Sequence, residues 1–279
     1  MSRKIAIGLL LLLVMPTAAP GTPPPMAPYQ WLGDRNGPSP SLEQAFTPPP
    51  NYDRVTLPTG SFGAWLRQLP LKADGAPILL FNGRPRADQT GAAAIIDIDV
   101  GSRDLQQCAD AVIRLRAEYL YYSGKMPAFN FTSGDRADFV DWAKGKTAKV
   151  DGNRVTWVNG PQRDVSHASL RQWLDMVFTY AGSLSLQREL KPVADIVAVQ
   201  PGDVLIQGGS PGHAIIVLDV ARDANNQPTV LLAQSFMPAQ SIHVLRNPQG
   251  GVWFALKAGQ PIVTPDWRFN PSDLRRFAD

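Results

Sequence analysis

The stretch "GHAIIVLDV", residues 212–220, constrains the fold of this chain more than any other. Side chains alternate across a strand, so His213, Ile215, Val217 and Asp219 share one side, and Ala214, Ile216, Leu218 and Val220 the other. Both sides are apolar apart from His213 and Asp219, and a strand of that kind needs a covering layer on each face. It is therefore read as the central strand of a sheet buried on both sides. Asp219 shares a side with His213, but six residues of strand separate them by roughly 20 Å, too far for it to orient the imidazole.

The turn "ARDANNQP" leads into "VLLAQSF" and predicts a hairpin. If the turn is symmetric about residues 224 and 225, His213 faces Phe236. Gln234 is then the diagonal neighbour on the same face, and Ser235 points the other way. A single bulge would exchange Gln234 for Ser235. Further short β runs are expected over 203–207, 241–245 and 252–256. Helices come earlier in the chain. Ser61 caps "FGAWLRQL", which Pro70 stops, and Ser102 is expected to cap "RDLQQCADAVIRLRAEYLYY". "SHASLRQWLDMVFTYAG" carries Leu170, Trp173, Leu174, Val177 and Phe178 along one side, with Gly182 suited to its end. His167, in its first turn, is expected to be solvated. Helices first and a mostly antiparallel sheet afterwards give an α+β fold.

The chain opens "MSRKIAIGLLLLLVMPTAAPG", with Arg3 and Lys4 before an apolar run from Ile5 to Met15. That core is too short for a permanent span and predicts a signal peptide over residues 1–21, cut near Ala18, Ala19 or Gly21. Residues 22–54 form a proline-rich arm, either draped on the domain or free, and residues 55–279 a single globular domain. An exported, periplasmic or extracellular protein with no integral membrane segment after cleavage is the expectation. The 27 basic and 24 acidic side chains fall to 25 against 24 once Arg3 and Lys4 are removed, so charge gives no reason to expect a nucleic acid partner.

Cys108 is the chain's one cysteine, which excludes an intramolecular disulfide and leaves a thiol that is buried, paired with another molecule, or reactive. The three histidines, His167, His213 and His243, show no ligand spacing, and no metal or cofactor is expected. A thiol on a helix, an imidazole opening a central strand and a polar group on the next strand are the parts of a thiolate mechanism. In that reading His213 takes the Cys108 proton and Gln234 fixes the tautomer. The rival reading makes Cys108 ordinary core packing on a helix. Gln240 and His243, in "MPAQSIHVL", are candidates to line a substrate cleft.

The segments "GSFGAWLRQLPL", "DLQQCADAVIRLRAEYLYY", "QPGDVLIQGGSPGHAIIVLDVA", "LLAQSFMPAQSIHVL" and "TPDWRF" resemble a bacterial family of exported proteins classed as a domain of unknown function. More remotely, "QPGDVLI", "GHAIIVLDV" and "VLLAQS" are similar to the strand order of NlpC-type cysteine peptidases with a papain-like sheet. That likeness implies Cys108 as nucleophile, His213 as base and Gln234 as orienting group, acting on an amide or ester in a cell-envelope peptide. The cysteine reads "QCAD", without the preceding aspartate and following serine-glycine of that group. The alternative is a non-catalytic envelope protein that binds glycan or peptide in an aromatic-lined cleft.

Overall fold

The computed structural model of the protein describes residues 28–33, 39–152 and 154–278; the signal peptide expected over 1–21 lies outside the described residues. The frame is an antiparallel sheet. From edge to edge its strands are Ala92–Ile95, His243–Leu245, Pro228–Gln234, His213–Arg222, Val204–Gln207, Leu274–Arg276 and Lys191–Pro192. Asp53–Arg54 also pairs with His213–Arg222, and Trp253–Ala255 with Pro228–Gln234. With helices on one face of this sheet, the fold is α+β.

The histidine strand, His213–Arg222, lies in the middle and is buried along almost its whole length. Ala214, Ile216, Leu218 and Ala221 face the core formed with three helices, Phe62–Arg67, Cys108–Tyr122 and His167–Tyr180. Ile215, Val217 and Val220 face a second core containing Leu205, Leu232, Phe254, Phe269 and Leu274. Leu205, Leu232, Phe254 and Leu274 belong to the sheet itself, and the cover over this face comes from Ile262 and Phe269 of the C-terminal hairpin and Ile196 of the 3-10 turn Ile196–Ala198. Each fully buried Val, Leu or Ile contributes about 1.5–3 kcal/mol, so both layers are needed to keep this strand in place.

Strict alternation fails at one point. Leu231 pairs with Asp219 but Leu232 pairs with Val217, which makes Leu218 the extra residue of a β-bulge. Val220, and not Asp219, therefore joins the side of Ile215 and Val217. The Asp219 carboxylate is wholly buried and is held by Arg54 Nε at 2.7 Å and Arg67 Nε at 2.6 Å. From Leu232 onward the register is the one that sets Phe236 opposite His213, and their rings lie 5.0 Å apart.

The helix expected from Ser102 begins at Cys108 and runs to Tyr122. Side chains hold the preceding segment out of it. The Gln107 N–H donates to Asp110 Oδ2 at 3.1 Å, while the buried Arg114 reaches back to Gln106 Oε1 at 3.0 Å and Asp99 Oδ1 at 2.9 Å. Arg114 also meets Glu118 at 2.6 Å, and His167 Nε2 lies 2.9 Å from the same carboxylate. His167 is thus paired and only partly exposed, not solvated. Burial pushes Glu118 up, but Arg114 and His167 outweigh it and hold the carboxyl below its usual range. Gly182 does not simply end the His167–Tyr180 helix; it opens a further helix, Ser183–Glu189, its N–H bonded to Ser185 Oγ.

Residues 39–54 pack on the domain. Leu42 is completely buried, and Asp53–Arg54 pairs with the far end of the histidine strand. Among the described residues no helix is long and apolar enough to cross a membrane.

Asp219 supplies a test of this frame. Arg67→Ala leaves the wholly buried Asp219 carboxylate with Arg54 and the Val220 N–H, and a loss of about 3 kcal/mol is expected in urea unfolding because one of its two buried counter-charges is gone. A change within about 0.5 kcal/mol would show that Arg54 neutralises Asp219 unaided.

Candidate active site

The structure places the start of the Cys108–Tyr122 helix against the start of the histidine strand. Pairing between His213–Arg222 and Pro228–Gln234 is recorded as far as Ala233 opposite Ile216. Beyond that point, at the open end of the ladder, the Ala214 backbone favours the charged form of the Cys108 sulfur. The cysteine is the first residue of its helix. The N–H groups of Cys108 and Ala109 favour its charged form as well, as expected where a helix leaves its first donors unpaired.

Three tethers hold the cysteine in register with the sheet. Ser235 Oγ lies 3.0 Å from the Gln106 carbonyl and 2.9 Å from that of Gln240. The Ala239 N–H donates to Asp104 Oδ1 at 2.6 Å. Arg114, described above, braces the same loop from the helix side. Cys108 is 7% exposed and lines a cleft of about 600 Å³ with Asp104, Gln107, Asp110, Ser183, Gly212 and Met237.

His213 is completely buried, with its ring among Phe236, Trp267 at 5.3 Å and Phe269 at 5.9 Å. It projects from the face opposite the one that packs on the cysteine helix, and no contact joins its ring to the Cys108 sulfur among the described residues. Its Nε2 lies 2.9 Å from Gln234 Oε1, and its Nδ1 is buried with no hydrogen-bond partner among the described residues.

Gln234 makes two further contacts through its amide nitrogen, to Asp266 Oδ2 at 2.6 Å and His243 Nε2 at 3.4 Å. Asp266 is ion-paired with Arg86 by two bonds, of 2.5 Å and 3.2 Å. A carboxylate only accepts, so the Gln234 nitrogen must face it and the oxygen must face His213. His213 Nε2 then carries the proton, and the unpartnered Nδ1 carries a lone pair.

His243 and Gln240, expected beside a substrate cleft, both lie inside the protein. His243 is fully buried, and its Nδ1 donates to the Ser241 carbonyl at 3.0 Å, leaving Nε2 to accept from Gln234. Gln240 is 1% exposed, with its amide nitrogen lacking a partner among the described residues. Neither lines the cleft that contains Cys108.

Burial pushes the Cys108 thiol up. The Ala214, Ala109 and Cys108 N–H groups oppose this in part, while Asp110 adds to it. Burial likewise pushes His213 down, against the pull of Gln234 and Asp266. Both shifts favour a neutral thiol and a neutral imidazole at rest. Asp110 is raised well above its usual range by complete burial, despite the Gln107 N–H. Burial carries His243 down to about 4, so it is uncharged at neutral pH.

Asp266 and Arg86 did not stand out in the sequence. Asp266 lies 32 residues beyond Gln234, in the short hairpin formed by Ile262–Val263 and Arg268–Phe269. The only signal was the polar residue inside "TPDWRF", which carries no spacing rule.

A family model described as Domain of unknown function (4846) matches residues 42–276. The chain belongs to the DUF4846 family. The match begins at the buried Leu42 and ends at Arg276, whose guanidinium holds Asp203 at 2.6 Å, so the family segment takes in most of the packed residues. No curated protein and no solved structure matches the chain.

Two outcomes test this geometry. A Cβ on Gly212 would come within 2.5 Å of the Gly209 carbonyl oxygen and Ser183 Oγ, forcing the loop before His213 to move. Gly212→Ala is expected to cost about 1–3 kcal/mol in chemical unfolding, and a neutral result would show that the loop yields freely. The raised thiol is expected to give an alkylation profile for Cys108 that inflects above the ordinary thiol value of about 8.5; an inflection below about 7 would mean that an ion pair overrides burial.

Proposed function

We propose that the chain is an exported cysteine hydrolase of the amidase or peptidase type, with a papain-like, NlpC-like arrangement of Cys108, His213 and Gln234, acting on an amide or ester of the cell envelope. One observation carries this reading: Cys108 opens a helix that packs on the start of the histidine strand, and His213 on that strand keeps an unpartnered Nδ1 while Gln234 holds Nε2. A histidine whose only role is to fill the core would be expected to satisfy both ring nitrogens.

In the proposed reaction, His213 Nδ1 accepts the thiol proton as the sulfur attacks the carbonyl carbon. The helix N-terminus favours the negative charge on sulfur. The imidazolium then gives its proton to the leaving amine or alcohol, and a thioester remains on Cys108. His213 next takes a proton from water, whose oxygen displaces the sulfur and releases the acid. Because the resting pair is neutral, proton transfer accompanies attack and does not precede it.

The rival reading, a non-catalytic envelope protein that binds glycan or peptide, is favoured by the depth and raised pKa of the thiol. Alkylation separates the two. If His213 is the base, His213→Ala lowers the rate of Cys108 alkylation by iodoacetamide at pH 7 by about 10²-fold, with the fold checked by circular dichroism. Equal rates in the two proteins would remove the hydrolase reading and leave the binding one.

A further inference from the structure

Resting on the hydrolase reading, we infer that Asp266, anchored by Arg86, is a positioning residue that sets the tautomer of His213 through the side-chain amide of Gln234. An amide is nearly symmetric in shape, and a glutamine beside a histidine can present either end. Presented by its oxygen, it keeps the proton on Nε2 and leaves Nδ1 free to act as base. Presented by its nitrogen, it would move the proton to Nδ1 and remove the lone pair from the nitrogen assigned to the thiol. The Gln234 contacts inside the triad do not decide between these ends. Asp266 does, because its Oδ2 lies 2.6 Å from the amide nitrogen and only accepts. His243 agrees with it, since its Nδ1 is committed to the Ser241 carbonyl and its Nε2 offers a second acceptor.

The arrangement around Asp266 is built for this orientation. Arg86 binds both carboxylate oxygens, and its guanidinium carbon sits 5.8 Å from the centre of the Phe236 ring, which in turn packs on His213. Burial pushes the Asp266 carboxyl up, but the Arg86 bonds and charge outweigh it and hold the group below the usual carboxylate range. The acceptor is therefore charged throughout the neutral range. Thr264 closes the turn that carries Asp266: its N–H and its hydroxyl both bond the Trp267 carbonyl, and its hydroxyl oxygen accepts the Trp267 N–H. Trp267 is fixed as well, through Nε1 to Gln207 Oε1 at 3.0 Å, and its ring lies against His213. One short hairpin thus supplies both the charge that orients Gln234 and part of the wall that keeps water from His213.

The experiment is nitrogen NMR of ring-labelled histidine on the full chain, with the His213 signals assigned by their loss in His213→Gln, alongside Cys108 alkylation. The wild type is expected to show a proton on Nε2 and a bare Nδ1. Asp266→Ala should convert this to a mixed or reversed tautomer and slow the His213-dependent part of alkylation by at least about 10-fold, as expected when a base carries its proton on the wrong nitrogen. Asp266→Glu should restore the wild-type tautomer in part. If Asp266→Ala does not fold, Asp266→Asn keeps the shape but offers one acceptor for which Arg86 and Gln234 compete, and a smaller shift in the same direction is expected. An unchanged His213 tautomer in a folded Asp266 variant overturns the inference, whatever the activity. Alkylation independent of His213 in the wild type would instead overturn the hydrolase reading, while the NMR result still decides the role of Asp266.

Discussion

Burial of the His213–Arg222 strand on both faces is the constraint on which the rest of the structure depends. One face requires the helical layer, and the Cys108–Tyr122 helix takes its place there by packing on Ala214, Ile216 and Leu218. The other requires the cover supplied by Ile262 and Phe269, which brings the C-terminal hairpin to His213. Cysteine and histidine thus belong to different layers. The helix starts, and the strand begins, at the same end of the sheet, on its two opposite faces.

The point at which that helix starts is set by charge and hydrogen bonding more than by propensity. Arg114 lies inside the protein and is held by Glu118, Asp99 and Gln106, with His167 adding to the same carboxylate. A buried guanidinium is tolerated only when nearly all its donors are satisfied, and satisfying them here draws residues 99–106 back along the helix side. The segment cannot then continue the helix. Cys108 becomes its first residue, where the unpaired N–H groups of the first turn act on the sulfur.

The central strand, its hairpin partner and the polar neighbour Gln234 were legible in the sequence because they follow from a period of two and a local turn. The α+β class followed from the order of elements. The bulge at Leu218 was not legible as to place, since nothing in "IIVLDV" distinguishes one residue from the next as the extra one. The helix start was misplaced because Ser102 is a good local cap, and the competing bonds to Arg114 span up to 15 residues. His167 looked solvated for a similar reason: its partner Glu118 is 49 residues away. His243 and Gln240 were placed beside a cleft by proximity to the sheet, which says nothing of which side of the wall they occupy.

The C-terminal hairpin has a consequence for the order in which the protein is made. Leu42, Arg54 and Phe62 emerge early, yet Arg54 finds Asp219 and Phe62 finds Phe277 only near the end of synthesis. The ring of His213 gains its Trp267 and Phe269 walls, and Gln234 its carboxylate, in the last stretch of chain to appear. Contacts of such sequence separation make folding slow. A chain still lacking residues beyond 261 would have neither the aromatic walls of His213 nor the carboxylate bonded to Gln234, so the surroundings of that imidazole belong to the finished molecule alone.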